Sequence, residues 1–161
     1  MNSNKKIFII EDDPFYSALL QSFLKLKGFW DIHIFSSGRG ALANLADGPD
    51  LILLDYDLGD AEYPGKQVLQ EIKMRSDKLP VIFISGQKSI HEAVQTLKKG
   101  AMDYIRKNDQ TLEKLDGKLN ELFFEESILT VMKEEKKKKT GRILFGSFFI
   151  LLAIGISFTY F

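Results

Sequence analysis

The chain has 161 residues, enough for one hydrophobic core, and its 45% hydrophobic and 27% charged residues exclude an intrinsically disordered protein. It contains no cysteine, which excludes a disulfide framework, a thiolate metal site and a cysteine nucleophile. The formal net charge is zero, but residues 127–142 carry six Lys and Arg against two Glu, so residues 1–126 are mildly acidic. This acidic body gives no electrostatic basis for binding nucleic acid, and we expect none.

Short apolar runs recur along the chain and predict five β-strands. Each run is almost continuously apolar rather than alternating, which is typical of strands buried on both faces, as in a parallel sheet covered by helices. Polar or turn-forming residues follow each run. The predicted strands are Ile7–Ile10, Ile32–Phe35, Leu51–Leu54, Val81–Ile84 and Tyr104–Ile105.

The first predicted helix begins just after the first strand. Asp13 is followed by a proline, and this pair is typical of an N-cap and the first helical position. Phe15, Leu19 and Phe23 recur every four residues, which is the spacing of an apolar stripe along one face of a helix, and Gly28 ends the segment. We therefore expect a helix here whose apolar face carries these three side chains.

Helical patterns also fill the other intervals between the strands. Ser89–Glu92 has the spacing of a capping box, and Gly100 ends the helix that this box begins. Weaker helical patterns cover Gly40–Leu45, Lys66–Arg75 and Thr111–Phe124. The alternation predicts an α/β protein of (βα)5 type, in which right-handed crossovers wind a five-stranded, doubly wound parallel sheet of flavodoxin-like type.

Polar residues stand at the carboxyl ends of four predicted strands. Glu11 and Asp12 follow the first strand, Asp55 the third, Ser85 the fourth and Lys107 the fifth. Ligands of doubly wound sheets bind at this edge, so we expect these side chains to share one pocket. Several carboxylates suit a hard cation such as Mg²⁺. Such a cation would prepare Asp55 to attack phosphorus, while the Ser85 hydroxyl and the Lys107 ammonium hold phosphoryl oxygens.

These residues lie in motifs that resemble the receiver domain of two-component response regulators, over about residues 4–126. The motifs are IFIIEDD, LILLDYD, VIFISG and KKGAMDYIRK, in that order along the chain. The resemblance implies that Asp55 is the phosphoacceptor and that Mg²⁺ is the cofactor. It also implies that Glu11 and Asp12 form the acidic metal-binding pair and that Asp57 contributes its backbone carbonyl to the metal.

The same resemblance assigns three further roles, and the chain departs from the family pattern in two places. Ser85 looks like the hydroxyl residue of the receiver pocket, Lys107 like its lysine and Tyr104 like its aromatic switch. Receiver domains usually have a proline after the lysine, whose cis peptide shapes the loop, but Asn108 stands there. They also usually have a proline four residues after the phosphoacceptor, where this chain has Gly59 in a longer loop.

Two other functions fit part of the pattern. The run LILLDYDLG also resembles the nucleophile motif of haloacid-dehalogenase-type phosphatases, which are Mg²⁺-dependent enzymes with an aspartate nucleophile. In that family the acidic pair comes late in the chain, whereas here Glu11 and Asp12 come first. A receiver-like scaffold that docks a partner without being phosphorylated is the second alternative. We favour a phosphoacceptor that is not an enzyme, apart from Mg²⁺-assisted phosphorylation and dephosphorylation of itself.

The C-terminal residues have the composition of a membrane anchor. Residues 143–161 carry no charge, and 14 of these 19 residues are hydrophobic, which predicts a single transmembrane helix. Residues 127–142 would be a basic juxtamembrane linker. The positive-inside rule then places the receiver domain, residues 1–126, on the cytoplasmic side of the cytoplasmic membrane.

The expected partners follow from this reading. A histidine kinase or a phosphotransfer protein would donate the phosphoryl group. The sequence shows no DNA-binding or catalytic module, so we expect output through phosphorylation-dependent contact with an unidentified protein, or action as a phosphate sink.

Overall fold

The computed structural model describes residues 3–59, 63–86 and 89–123. Within these ranges the strands are β1 (Ser3–Ile10), β2 (Phe29–Phe35), β3 (Leu51–Asp55), β4 (Val81–Ser85) and β5 (Asp103–Arg106). The helices are α1 (Pro14–Leu26), α2 (Gly38–Ala43), α3 (Gly65–Arg75) and α4 (Ile90–Lys98), followed by α5 at residues 111–123, and a short 3-10 helix covers Leu45–Asp47. Every predicted strand lies inside one of these strands.

The strands of the described ranges form one parallel sheet with the order β2-β1-β3-β4-β5. The chain runs from β1 outwards to β2, returns across β1 to β3, and then continues to β4 and β5. This is the doubly wound topology that the alternation predicted, and the strand order reverses between β1 and β3. The predicted pocket therefore falls at the point where such sheets bind their ligands.

The interior strands are apolar because helices cover the sheet. Every residue of β3 and β4 is buried. One cluster packs the strand residues Phe8, Ile52 and Phe83 together with Val68 and Leu69 of α3. Because these strands run through the core, polar side chains are confined to the strand ends, where they can reach solvent or each other.

α1 buries a different face from the one that its four-residue spacing indicated. Ser17, Leu20 and Leu24 are buried, whereas Phe15 is 86% exposed and Leu19 is 45% exposed. The predicted helix is confirmed, but of the three residues of the stripe only Phe23 is half-buried, and Phe15 and Leu19 are exposed. The reason is that α1 carries apolar residues on two adjacent faces, and a helical period alone does not decide which of them meets the sheet.

The helices begin at the capping residues that the sequence indicated. The Asp13 carboxylate accepts hydrogen bonds from the N–H groups of Phe15 and Tyr16 at 2.9 and 3.4 Å. The Ser89 hydroxyl accepts a hydrogen bond from the N–H of Glu92 at 3.3 Å. Both predicted N-caps are confirmed, and they fix where α1 and α4 begin relative to the strand ends.

The chain divides into two compact units, Met1–Leu115 and Asp116–Phe161. The first unit contains the sheet and α1 to α4, and the second begins within α5. The predicted linker at residues 127–142 and the predicted transmembrane helix at residues 143–161 lie outside the described residues, as do residues 60–62 of the longer loop. No helix in the described ranges combines the length and the apolarity that crossing a bilayer requires.

Candidate functional site

Two acidic side chains lie next to each other at the carboxyl ends of β1 and β3. The pairing of Ile10 with Leu54 places the residues that follow them, Glu11 and Asp55, at adjacent strand ends. The N–H of Glu11 donates to the carbonyl of Phe35 at 2.9 Å, which ties this strand end to β2 as well. Glu11 is 3% exposed and Asp55 is 6% exposed. Two buried carboxylates so close together need a compensating positive charge.

Lys107 supplies that positive charge. Its Nζ atom lies 2.9 and 2.8 Å from the two carboxylate oxygens of Glu11 and 2.9 Å from Oδ2 of Asp55. The N–H of Lys107 donates to the Ser85 carbonyl at 2.7 Å, so β4 holds the main chain from which this side chain extends. The other Asp55 oxygen, Oδ1, accepts the N–H of Tyr56 at 2.6 Å. Both oxygens of Asp55 are therefore oriented by hydrogen bonds.

Burial and charge crowding change the protonation of this pocket. Burial raises the pKa of Glu11 to about 7 against the lowering effect of its hydrogen bond with Lys107, and the charge of Asp55 raises it further. Burial opposes the charge on Lys107, but its hydrogen bonds with Asp55 and Glu11 outweigh this and raise the pKa of the lysine. The pocket therefore keeps its lysine charged at neutral pH while one of its carboxylates is easily protonated.

Three acids of the pocket could bind a cation. One carboxylate oxygen from each of Glu11, Asp12 and Asp55 lies within 4.8 Å of the others. Asp12 is exposed, so the group opens to solvent, from which a hydrated ion can enter. A set made of carboxylate oxygens suits a hard divalent cation, and the residues present therefore fit the predicted Mg²⁺.

The other predicted site residues lie around this centre. Ser85 is fully buried at the end of β4, beside the strand that carries Asp55. Asp57 is exposed, two residues beyond Asp55. Tyr104 is half-buried in β5, and its ring stacks on that of Phe83 with the centroids 6.5 Å apart and the planes inclined by 15°. The structure thus brings Glu11, Asp55 and Lys107 into direct contact and places Tyr104 against Phe83 of the core.

Local hydrogen bonds and backbone geometry account for the two departures from the receiver pattern. Gly59 has a φ of +62°, which proline cannot adopt, and a β-carbon there would lie 2.8 Å from Oδ2 of Asp12. After Lys107, the N–H of Asn108 donates to Oγ1 of Thr111 at 2.7 Å, a bond that a proline could not make. The described peptide bonds are all trans.

Two tyrosines beside the pocket were not predicted from the sequence. The ring centroid of Tyr16 lies 4.3 Å from Nζ of Lys107. The hydroxyl of Tyr56 donates to the Glu92 carboxylate of α4, and Nζ of Lys66 lies 3.1 Å from the same carboxylate. Each tyrosine stands just after acidic residues, in EDDPFY and LDYD, and this adjacency is the signal that could have indicated them.

Comparison with known proteins identifies the class to which this fold and pocket belong. Residues 7–119 match the Response regulator receiver domain family, and because this is more than half of the chain, the protein belongs to that family. Glu11, Asp12 and Asp55 form the acidic triad that is typical of a receiver metal site. Family membership also decides against the haloacid-dehalogenase-type phosphatase.

Individual relatives agree with this assignment. The chain is 36% identical over 102 residues to the nitrogen assimilation regulatory protein NtrX of Azorhizobium caulinodans, covering 63% of this chain and 22% of that protein. The match spans 22% of NtrX, 24% of the transcriptional regulatory protein ZraR of Escherichia coli and 44% of the transcriptional regulatory protein CssR of Bacillus subtilis, which is less than half of each of these relatives. A CheY-like receiver domain protein from Methanospirillum hungatei JF-1 has 27% identity and a TM-score of 0.65, covering 76% of this chain and 99% of that one.

One similar solved structure contains a metal ion. It is the Mn²⁺-bound form of response regulator Rcp1, with 26% identity and a TM-score of 0.63, and the match covers 74% of this chain and 94% of that one.

The five-stranded sheet with its helices is the CheY-like form of the flavodoxin fold, as the strand order and the similarity to the Methanospirillum hungatei protein show.

Proposed function

We propose that Asp55 accepts a phosphoryl group from a histidine kinase or a phosphotransfer protein in the presence of Mg²⁺, and that the resulting change alters contact with an output protein. The observation that carries this proposal is the position of Lys107, whose ammonium contacts both Glu11 and Asp55 at the end of the central strands. An ammonium beside a buried carboxylate is suited to hold the oxygens of a phosphoryl group attached to that carboxylate.

The proposed transfer is a displacement at phosphorus. An Asp55 oxygen forms the new P–O bond while the bond from phosphorus to the donor breaks. The electron pair leaves with the donor, either with the imidazole nitrogen of a phosphohistidine or with the carboxylate of a small acyl phosphate. Lys107 offers N–H groups to the phosphoryl oxygens next to Oδ2 of Asp55, and the buried Ser85 lies at the neighbouring strand end.

Glu11, Asp12 and Asp55 would hold the cation in this proposal. A bound Mg²⁺ supplies positive charge that reduces the repulsion between the carboxylate and the incoming phosphoryl group. The chain itself contributes the exposed Asp12, which leaves the group of acids open to solvent, and the buried Glu11, which Lys107 keeps oriented.

The exposed apolar residues at the start of α1 support a protein phosphodonor. A donor histidine must reach Asp55, so the surface of the donor has to cover the residues around the pocket. Phe15 and Leu19 lie exposed on the helix that begins beside the acidic residues. Burying such side chains against a partner is favourable by roughly 25 cal/mol per Å², and apolar side chains are typical of the core of a protein interface.

Labelling of single-residue variants tests the phosphoacceptor. The chain is incubated with a small acyl phosphate and Mg²⁺, and an acid-stable, base-labile adduct is measured. Asp55→Asn should abolish the adduct, whereas the matched control Asp77→Asn, an exposed aspartate between α3 and β4, should retain it. Labelling of Asp55→Asn at the wild-type level would contradict the assignment. A wild-type chain that is labelled neither by the small acyl phosphate nor by a phosphorylated donor protein would favour the non-phosphorylated scaffold.

A second pair of variants tests the protein donor. Phe15→Ser should slow transfer from a phosphorylated kinase or phosphotransfer protein but leave labelling by the acyl phosphate unchanged. Met74→Ser is the control, because Met74 is 85% exposed near the end of α3, away from the start of α1. Equal rates of protein-donor transfer for both variants would argue against docking on α1.

We further propose that residues 143–161 attach the chain to the cytoplasmic membrane by a single transmembrane helix, with the receiver domain in the cytoplasm and residues 127–142 as the linker. The uncharged, largely hydrophobic composition of the last 19 residues supports this. Cells expressing the full chain and a version that ends at Thr140 are fractionated, and the membranes are washed with high salt and carbonate. Recovery of the full chain in the soluble fraction would contradict the attachment without affecting the receiver assignment.

A further inference from the structure

We propose that Tyr16 is a positioning residue for phosphoryl transfer, which holds the Lys107 ammonium over Asp55 from the side of α1. The inference deepens the proposed function, since it rests on Lys107 contacting the phosphoryl group. It concerns a residue outside the receiver motifs from which the pocket was predicted.

The Tyr16 ring completes the surroundings of the ammonium. The N–H groups of the Lys107 ammonium donate hydrogen bonds to the carboxylates of Glu11 and Asp55, and Nζ lies 2.8 to 2.9 Å from their oxygens. The centroid of the Tyr16 ring lies 4.3 Å from the same nitrogen. A cation at this distance from an aromatic face is attracted by the ring quadrupole. The ammonium is therefore held by acids on one side and by an aromatic ring on another.

The Tyr16 hydroxyl acts on the loop that carries Lys107. It interacts with the side chain of Thr111, and this interaction lowers the pKa of Tyr16 against the larger, raising effect of burial. The Thr111 hydroxyl also accepts the N–H of Asn108 at 2.7 Å and lies 3.0 Å from the carbonyl of Arg106, to which it can donate. Arg106 and Asn108 are the two neighbours of Lys107 in the chain. Tyr16 thus contacts the end of the lysine side chain with its ring and the lysine loop with its hydroxyl.

Tyr16 itself is well fixed, as a positioning residue must be. It lies in the first turn of α1, where the Asp13 carboxylate accepts its N–H at 3.4 Å. The body of the same helix is anchored in the core by Leu20 and Leu24. α1 is therefore anchored at both its cap and its apolar side, which fixes the main chain that carries the Tyr16 ring.

The contact of Lys107 with the Tyr16 ring persists during phosphoryl transfer, whereas its hydrogen bonds to Glu11 and Asp55 change. The phosphoryl group brings new anionic oxygens beside Asp55, and these compete for the N–H groups that now reach Glu11 and Asp55. The ring accepts none of these conventional hydrogen bonds, so it keeps its contact while they are redistributed. Tyr16 would therefore keep the ammonium in the pocket when its acidic partners change, and losing the ring should slow transfer.

Three variants separate the ring from the hydroxyl. The labelling rate with a small acyl phosphate is measured on the full chain at saturating Mg²⁺. Tyr16→Leu should be about threefold to tenfold slower, because it removes the cation–π contact. Tyr16→Phe keeps the ring and should recover most of the rate. Tyr63→Leu is the matched control, since its ring contacts the Arg39 guanidinium at 4.5 Å in another part of the fold, and it should leave the rate unchanged.

A double-mutant cycle shows whether Tyr16 acts through Lys107. Tyr16→Leu should slow labelling in the wild-type background and cause no further slowing in a Lys107→Gln background. A merely structural role would slow both backgrounds equally and would overturn the inference. Should Tyr16→Leu fail to fold, Tyr16→Met, which fills much of the same space, takes its place in the cycle.

The outcomes distinguish this inference from the proposed function. Absence of any Asp55 adduct on the wild-type chain contradicts the proposed function itself. A normal wild-type adduct with an unchanged rate for Tyr16→Leu contradicts only the role of Tyr16. Equal slowing by Tyr16→Phe and Tyr16→Leu would overturn the ring contact as the cause.

Discussion

α1 and α4 both begin beside the pocket, but they are attached to the rest of the protein in different ways. α1 follows the acids of β1 and buries Ser17, Leu20 and Leu24. α4 has one fully buried side chain among those described, Thr96, and its hydroxyl bonds back to the carbonyl of Glu92 in the same helix at 2.8 Å. α1 is therefore fixed by apolar packing, whereas the described side chains of α4, residues 91–98, contribute little to the core.

Polar contacts hold Glu92 near the start of α4. The Glu92 carboxylate accepts the Tyr56 hydroxyl and lies 3.1 Å from Nζ of Lys66. The hydrogen bond from Tyr56 has the largest effect on the pKa of Glu92 and the one from Lys66 the next largest, and both lower it. The carboxylate is therefore charged at neutral pH. Tyr56 is also the residue whose N–H holds Asp55 at 2.6 Å. α1 therefore provides the fixed side of the pocket, whereas α4 is held through a residue adjacent to the proposed phosphoacceptor.

The largest expected effect contrasts the apolar packing of the two helices. Leu24→Ala in α1 should lower the free energy of unfolding by about 3 kcal/mol, because it leaves a cavity in a fully buried site. Leu97→Ala in α4 should cost under about 1 kcal/mol, because Leu97 is 43% exposed. Denaturant unfolding of both variants measures the difference. Similar losses would show that α4 is as firmly packed as α1.

The second prediction concerns Glu11, the acid that precedes α1. Its pKa is raised to about 7 in the folded chain from 4.5, so the folded state holds this proton more tightly than the unfolded state does. The free energy of unfolding of the metal-free chain should therefore fall, by roughly 2 to 3 kcal/mol, as the pH rises from about 4.5 to about 7.

Glu11→Gln tests this pH dependence, because glutamine resembles the protonated acid. It should flatten the profile and make the metal-free chain more stable than wild type above pH 7. Denaturant unfolding with a chelator across this range provides the measurement. A profile as steep as that of the wild type would assign the titration to another group.

The N-caps provide a smaller contrast. Asp13 accepts two N–H groups at 2.9 and 3.4 Å, and Asp13→Ala should cost about 1 kcal/mol of global stability. The Ser89 hydroxyl accepts one N–H group, at 3.3 Å, on a helix whose described side chains contribute little to the core. Ser89→Ala should therefore speed hydrogen exchange within α4 and leave global unfolding almost unchanged. A global loss from Ser89→Ala equal to that from Asp13→Ala would contradict the proposed difference between the helices.

The smallest expected effect isolates one hydroxyl. Tyr56→Phe removes the hydrogen bond to Glu92 and should speed amide hydrogen exchange in α4 about threefold to fivefold, consistent with the loss of one hydrogen bond. Tyr63→Phe is the matched control, because its hydroxyl donates to Glu71 of α3 at 2.7 Å and does not involve α4. The measurement is amide hydrogen exchange in α4, followed by mass spectrometry for both variants. Unchanged exchange in α4 after Tyr56→Phe would mean that other contacts hold this helix.

The sheet and most of the pocket follow from the amino-acid sequence alone. Continuous apolar runs give strands buried on both faces, and parallel strands bring their carboxyl ends to one edge. The acids that follow β1 and β3 and the lysine that follows β5 therefore had to meet, and Asp13 and Ser89 had to cap the helices that come after strand ends. These features follow from local residue order and from the period of the secondary structure, which a single sequence contains.

Contacts between side chains that are far apart in the chain depend on the tertiary structure and could not be predicted from residue spacing. The period of α1 allowed two apolar faces, and packing chose the one with Leu20 and Leu24. The sequence predicted that Lys107 would hold phosphoryl oxygens. It did not predict the hydrogen bonds from Lys107 to Glu11, because these two residues are 96 positions apart in the chain. Tyr16 and Tyr56 also contact residues that are distant in the sequence, namely Lys107 and Glu92. Such contacts depend on the crossing of helices over the sheet and on side-chain rotamers, which residue spacing does not encode.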